Sequence, residues 1–216
     1  MPAEAVDIVV IGGGHAGSEA AWACANLGAH IAMITMELDK IGAMSCNPAI
    51  GGLAKGQIVR EIDALGGLMG LAADATGIQF RILNASKGPA VRGPRCQSDK
   101  YRYASEVQRL LKTRDNIDLI AGTVDDILVD DGKCNGVVYS DPSRGIVNHT
   151  IHASAVILTT GTFMRALMHT GQDQTKGGRV NEGSAEGISG NLTKLGLELG
   201  RLKTGTPPRL AAESIN

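Results

Sequence analysis

A cysteine in a glycine-rich loop is the residue of this chain best suited to covalent chemistry. Cys46 lies within residues 44–52, whose sequence is MSCNPAIGG, and a helix is expected to begin near Leu53. Peptide N–H groups and a helix amino end favour a thiolate, and Lys55 adds a nearby positive charge. The ordinary role of a cysteine is that of a small buried hydrophobe. The polar, glycine-rich surroundings favour a reactive thiol instead, so we predict Cys46 as the catalytic residue.

Cys96 is the competing nucleophile. Three cations close to it in sequence, Arg92, Arg95 and Lys100, would also stabilise a thiolate. The same cations suit phosphate groups, and with two interleaved tyrosines the segment resembles a nucleic-acid surface. A helix that packs its tyrosines inward would produce the same pattern. We therefore predict the three cations as candidate nucleic-acid contacts and leave the alternatives open.

A glycine fingerprint upstream of the cysteine loop predicts a nucleotide cofactor. The pattern G-x-G-x-x-G follows an apolar run and opens a helical segment, the context that dinucleotide binding requires. The glycines allow a tight turn, close approach to a pyrophosphate and helix packing, and the helix amino end attracts the phosphates. An acidic residue for the ribose is expected about 20 residues on, but Glu37 lies past the end of the next strand. The predicted cofactor-binding residues are Gly12, Gly13, Gly14, His15, Ala16 and Gly17.

The strands and helices that must position these residues are predicted to form an α/β fold. Continuous apolar runs that end in glycine are typical of buried parallel strands, and helical periodicity separates them. A turn signal at residues 130–133 lies between two short strands. We expect a parallel sheet with an antiparallel meander before its last strand. Strands are predicted at 6–11, 31–35 and 155–159 and around 119, 127 and 137, helices at 15–27, 53–65, 100–112 and 184–199, and an extended loop at 84–95.

Charge is unevenly distributed along the 216 residues, although the formal net charge is only −1. Residues 81–114 hold nine Lys or Arg against two acidic residues, and residues 115–141 hold seven Asp against one Lys. A basic segment of this density suits phosphate binding or a solvated helix face. The four cysteines show no paired spacing, so we predict neither a disulfide framework nor a metal site.

No secretory leader or membrane-spanning run is recognisable in the sequence. The pattern therefore predicts a reducing compartment, either the cytoplasm or the mitochondrial matrix, and no membrane partner. Residues 1–163 are predicted as the front of a cofactor-binding domain, and residues 164–216 as the start of a second, inserted domain. About fifty residues with one helix are too few for a separate core, so we expect the chain to be the front of a longer protein.

Several sequence blocks resemble the MnmG (GidA) family of FAD-dependent tRNA wobble-uridine modification enzymes. The blocks cover nearly the whole chain, although Cys96 stands where family members often carry alanine. They are GGGHAG at 12–17, SCNPAIGG at 45–52, DALGG at 63–67, QFRILNASKGPAVR at 79–92 and GRLKTGTPPR at 200–209.

The resemblance implies a glutathione-reductase-type FAD fold with an inserted domain. FAD would be held by residues 12–17 and near Val124, NADH would reduce it, and methylenetetrahydrofolate would donate one carbon. The complete enzyme would be a homodimer that works with the GTPase MnmE on tRNA, and Cys46 matches a cysteine proposed to act covalently. This chain alone would be inactive, because much of the family's length is missing from it. The alternatives are a folate- and FAD-dependent tRNA uridine methyltransferase and a non-catalytic flavin- or RNA-binding fragment.

Overall fold

Strands and helices alternate through most of the chain, as a computed structural model shows for residues 4–45, 47–179, 182–205 and 210–215. Short apolar runs form several of the strands, and glycines follow the ends of some of them. In chain order the elements are β1 (Ala5–Ile11), α1 (His15–Asn26), β2 (Ile31–Thr35), β3 (Ala49–Gly51), α2 (Lys55–Ala64), α3 (Leu68–Thr76), β4 (Gly77–Leu83), β5 (Gly93–Ser98), α4 (Lys100–Leu111), β6 (Ile117–Ala121), β7 (Thr123–Asp130), β8 (Lys133–Asp141), β9 (Ile146–Leu158), β10 (Leu167–Thr170), β11 (Asp173–Lys176) and α5 (Gly187–Lys194).

The main sheet has six strands in the order β6-β2-β1-β9-β8-β7. The first four of these are mutually parallel, β8 runs antiparallel to β9, and β7 runs antiparallel to β8. Residues 130–133 turn the chain from β7 to β8, with Asp131 and Gly132 at φ of 47° and 72°. The predicted α/β fold, a parallel sheet with an antiparallel meander before its last strand, is confirmed. β9 starts nine residues before the predicted position because its first half pairs with β8.

Helices cover both faces of this sheet and explain why β1 is apolar from Ile8 to Ile11. Val10 packs into a core with α1, α3 and α4, whereas Val9 and Ile11 point to the opposite face. The opposite core includes Ile188 of α5 together with apolar residues of the meander. A strand buried on both faces gains from apolar residues at every position, which accounts for the continuous run.

A second, three-stranded antiparallel sheet has the order β3-β5-β4. The prediction of an extended loop over 84–95 is wrong at its carboxyl end, where β5 begins at Gly93. The two glycine–proline pairs suggested a loop, but Pro94 lies near the start of its strand, where a missing N–H is tolerated. Its strand β3 lies within residues 44–52, the segment of the cysteine loop, and β4 and β5 carry part of the basic segment.

The region beyond residue 163 holds the hairpin β10-β11 and the helix α5. The predicted helix over 184–199 is too long, since α5 covers only Gly187–Lys194. Ser184 is held outside the helix because its hydroxyl donates to the Phe163 carbonyl and accepts from the Ala166 N–H. Gly196, at φ of 85°, ends the helix. The domain boundary at residue 163 stays a prediction. No helix in the described part of the chain is long and apolar enough to cross a membrane.

Candidate cofactor and substrate site

The glycine fingerprint forms a tight turn between β1 and α1. Gly12 has a φ of 105° and donates its N–H to the Ile34 carbonyl at 2.8 Å, which joins the turn to the end of β2. A Cβ on Gly12 would lie 2.5 Å from the Thr159 carbonyl oxygen, and one on Gly17 would overlap the Gly12 carbonyl. Glycine is required at both positions because backbone fills the space of a side chain. The turn therefore places the amino end of α1 over the carboxyl edge of the parallel sheet.

Gly14 differs from its neighbours because the space beside it is open. Among the described residues, no atom lies within 4 Å of a Cβ built there, and its φ of −73° is open to any residue. Gly14 is the N-cap of α1, without a side-chain cap, and the first helical turn has no acidic residue. The first N–H groups of α1 thus face open space with the positive end of the helix dipole behind them. This cradle fits the pyrophosphate of a dinucleotide.

Two cations reinforce the positive potential at this end of α1. Burial, followed by the charges of Lys55 and Arg179, lowers the pKa of His15 to about 4, so its ring is neutral at pH 7. The Tyr103 ring packs edge-on against His15 with centroids 5.6 Å apart. Arg179 contacts Glu182 at 3.9 Å and lies over the Phe163 ring. The sequence predicted Lys55 beside Cys46 and not beside the fingerprint, and it gave no sign of Arg179, which no local motif marks and only the fold brings close.

Val124 lies in β7 at the same edge of the sheet. Two residues earlier, the Gly122 N–H donates to the Thr35 carbonyl at the end of β2. The Val124 side chain is only 3% exposed and packs in the core shared with α5. A ligand could therefore reach this position only through the backbone, and its role in cofactor binding stays a prediction.

The cysteine loop is anchored on both sides of Cys46, which itself lies outside the described residues. Two residues before the loop, the Gly42 N–H donates to the Gly13 carbonyl of the fingerprint at 2.9 Å. Within the loop, the Asn47 side-chain oxygen accepts from Nη2 of Arg95 at 3.4 Å. These contacts connect the glycine fingerprint to the three-stranded sheet. Cys46 as the catalytic residue stays a prediction.

Cys96 is part of the core. Its thiol lies 3.4 Å from the Ala73 carbonyl oxygen and 3.5 Å from the Ser98 hydroxyl, and the residue is only 7% exposed. The neighbouring Arg95 side chain points to the opposite face of the sheet, because side chains alternate along β5. A thiol in this setting packs as a small hydrophobe.

The three predicted nucleic-acid cations have three separate sets of partners. Arg92 is exposed and donates from Nε to the Ala85 carbonyl at 3.0 Å. Arg95 is half-buried and contacts amide oxygens of Asn47 and Gln97. Lys100 begins α4, and its ammonium group lies 4.8 Å from the centre of the adjacent Tyr101 ring. Of the three, Arg95 is the one joined to the cysteine loop.

Comparison with known proteins places this geometry in a family. The sequence model described as glucose inhibited division protein A matches residues 7–216. A relative from Rhodopirellula baltica, named tRNA uridine 5-carboxymethylaminomethyl modification enzyme MnmG, is 56% identical over 97% of this chain and 33% of its own length. A relative of the same name from Protochlamydia amoebophila is 50% identical over the same shares. The chain thus spans about one third of the curated relatives it matches.

Solved structures support the same assignment. GidA from Aquifex aeolicus superposes with a TM-score of 0.87 at 46% identity, covering 94% of this chain and 33% of that protein. The GidA-related protein from Thermus thermophilus, at 18% identity and a TM-score of 0.62 over 88% of this chain and 68% of that protein, shares the fold alone. From the family match and these likenesses, we conclude that the chain belongs to the glucose inhibited division protein A family.

Proposed function

We propose that this chain is the FAD-binding part of an enzyme that modifies carbon 5 of the wobble uridine in tRNA, adding a carboxymethylaminomethyl or aminomethyl group. The observation that carries the proposal is the open cradle at Gly14, which suits a pyrophosphate at the amino end of α1. The names of the relatives at 50–56% identity supply the reaction.

In this proposal the first N–H groups of α1 bind the pyrophosphate of FAD, and backbone near Val124 contacts the cofactor a second time. Lys55 and Arg179 offset the phosphate charge, since both affect His15 in the first turn of the helix. Bound FAD would supply the redox chemistry. NADH as its reductant and methylenetetrahydrofolate as the one-carbon donor rest on the family resemblance, as do the MnmE-type GTPase partner, the homodimer and the cytoplasmic location.

Cys46 would act as the covalent catalyst. Its thiolate adds to carbon 6 of the uracil ring, and the electron pair of the 5,6 double bond moves onto carbon 5 and the carbonyl at carbon 4. Carbon 5 then attacks the one-carbon unit, which would be carried as the iminium of a glycine or ammonium nitrogen, and the electron pair of the C=N bond moves onto that nitrogen. Loss of the proton at carbon 5 and expulsion of the thiolate restore the double bond. The anchoring of the loop at Gly42 and Asn47 supports a cysteine positioned between cofactor and substrate.

Substitution of the two candidate thiols tests this assignment in the complete protein that carries this chain. We expect Cys46→Ser to retain flavin absorbance and to abolish formation of the modified uridine. The matched control, Cys96→Ser, should keep both, because Cys96 is a core residue. Normal modification by Cys46→Ser would refute the nucleophile. A methylated uridine as the product would favour the methyltransferase alternative, and a colourless wild-type protein would refute the flavin site.

A further inference from the structure

The three-stranded sheet has one polar, basic face. In the register of β4 with β5, Arg81 lies opposite Arg95 and Gln79 lies opposite Gln97. Directly opposed residues of antiparallel strands project to the same face, so two guanidinium groups are adjacent there with two amides beside them. The other face carries Phe80 opposite the buried Cys96 and packs towards α3.

The two arginines have no carboxylate partner in the part of the chain that the structure describes. The ion pairs found there involve other cations. Arg95 donates only to the neutral oxygens of Asn47 and Gln97, at 3.4 and 3.2 Å, and Arg81 is exposed. Like charges directly opposite each other on a sheet destabilise it, and a bound anion removes that repulsion. Paired guanidinium groups match the geometry of a phosphate.

The position of the pair relative to the cysteine loop indicates which phosphate it would bind. Asn47, the partner of Arg95, lies in the cysteine loop, and Gly42 just before that loop is hydrogen-bonded to the fingerprint. The fingerprint already offers a phosphate site at the amino end of α1, on the other side of this loop. Exposed Lys87 and Arg92 follow Arg81 along the chain, so the positive charge continues beyond the pair. Repeated charge of this kind fits a polyanion better than one cofactor phosphate.

We propose that Arg81 and Arg95 form a phosphate clamp that holds the RNA backbone beside the cysteine loop. Gln79 and Gln97 contribute neutral hydrogen-bonding groups on the same face. This inference rests on the proposed function for its substrate, tRNA. The clamp fixes the position of the strand without reading its sequence, because phosphate contacts carry no base information.

Binding of an unmodified tRNA transcript to the complete FAD-loaded protein tests the clamp. Arg81→Ala and Arg95→Ala should each weaken binding about tenfold, the usual effect of losing a charge-assisted hydrogen bond. Each should also reduce the slope of log affinity against log salt by about 0.7–0.9. The matched control is Arg102→Ala, which removes one exposed arginine of the same basic segment from α4 and should change neither quantity.

Flavin absorbance and thermal unfolding of every variant distinguish loss of RNA contacts from loss of FAD or of the fold. If Arg95→Ala unfolds, Arg95→Lys replaces it, because lysine keeps the charge without the guanidinium group. Wild-type affinity and salt slope in both alanine variants would overturn the clamp while leaving the proposed function intact. An equal loss of tRNA affinity in Arg102→Ala would overturn the clamp, because it would show that binding depends on the net charge of the segment and not on this face of the sheet. Loss of FAD from the arginine variants would assign the site to a cofactor phosphate. Failure of the FAD-loaded wild type to bind tRNA would overturn both proposals.

Discussion

Replacing Gly14 by alanine separates cofactor binding from folding. The backbone at Gly14 has φ and ψ of −73° and −172°, which alanine adopts without strain, and a Cβ there meets no described atom within 4 Å. The added methyl group instead occupies the space in front of the first N–H groups of α1. We expect the variant to fold normally and to lose FAD.

The expected change in the free energy of unfolding is small because two effects oppose each other. Gly→Ala at a compatible position stabilises by about 0.4–1 kcal/mol through the unfolded state. Alanine is a poorer N-cap than glycine, which costs on the order of 0.5–1 kcal/mol. The net change should lie within about 1 kcal/mol. FAD affinity should fall at least about tenfold, since displacing a phosphate from even one charge-assisted hydrogen bond costs roughly 1.5–3 kcal/mol.

Gly17→Ala is the contrasting variant. Its Cβ would overlap the Gly12 carbonyl and lie 2.7 Å from the Thr159 hydroxyl, so the turn itself must shift. Overpacking of this kind costs about 1–3 kcal/mol, and the free energy of unfolding should fall accordingly. Urea denaturation of the apoproteins and titration with FAD measure both quantities. Wild-type FAD affinity in Gly14→Ala would refute the placement of the pyrophosphate.

Three other changes test separate parts of the structure. His15 has a pKa of about 4 in the fold, below its ordinary 6.5, so between these values the unfolded state binds more protons. Stability should therefore fall by up to about 3 kcal/mol as pH drops from 6.5 to 4, and His15→Gln should flatten that dependence in denaturation at several pH values. Glu19 accepts the N–H groups of Leu68 and Met69 at 3.0 and 2.6 Å. Glu19→Ala should lower the free energy of unfolding by about 1–3 kcal/mol, whereas an unchanged midpoint would show that this cap contributes nothing. Cys96→Ala should lower the free energy of unfolding by about 1 kcal/mol, measured by thermal unfolding, and leave FAD uptake intact. Loss of FAD would contradict a purely packing role.

The βαβ unit and the fingerprint could be predicted from sequence because their signals are local. Val9, Val10 and Ile11 are apolar in succession since both faces of β1 are covered, and the glycines follow at once. Asp131 and Gly132 likewise predict the turn between β7 and β8, where the chain reverses direction. Such signals depend only on neighbours along the chain.

The contacts that assemble the candidate site could not be predicted in this way. Glycine and proline at the start of β5 predict a loop, whereas pairing with β3 and β4 outweighs them and makes the segment a strand. Arg81 and Arg95 are fourteen positions apart and become neighbours only through strand register. Arg179 approaches His15 from the region beyond the main sheet. Tertiary structure decides these relations, and no short motif encodes them.

The hydrogen bonds of Thr159 have a consequence for how the protein is made. Its hydroxyl donates to the Ile11 carbonyl at 2.7 Å, across 148 positions of sequence. The fingerprint turn therefore gains this partner only after nearly three quarters of this chain has been synthesised. At a synthesis rate of about 5–20 residues per second, that delay is roughly 7–30 seconds. The fingerprint lies within the first seventeen residues, yet its hydrogen bonds are completed late in synthesis. A cofactor that binds it would therefore join a sheet whose parallel strands are already aligned.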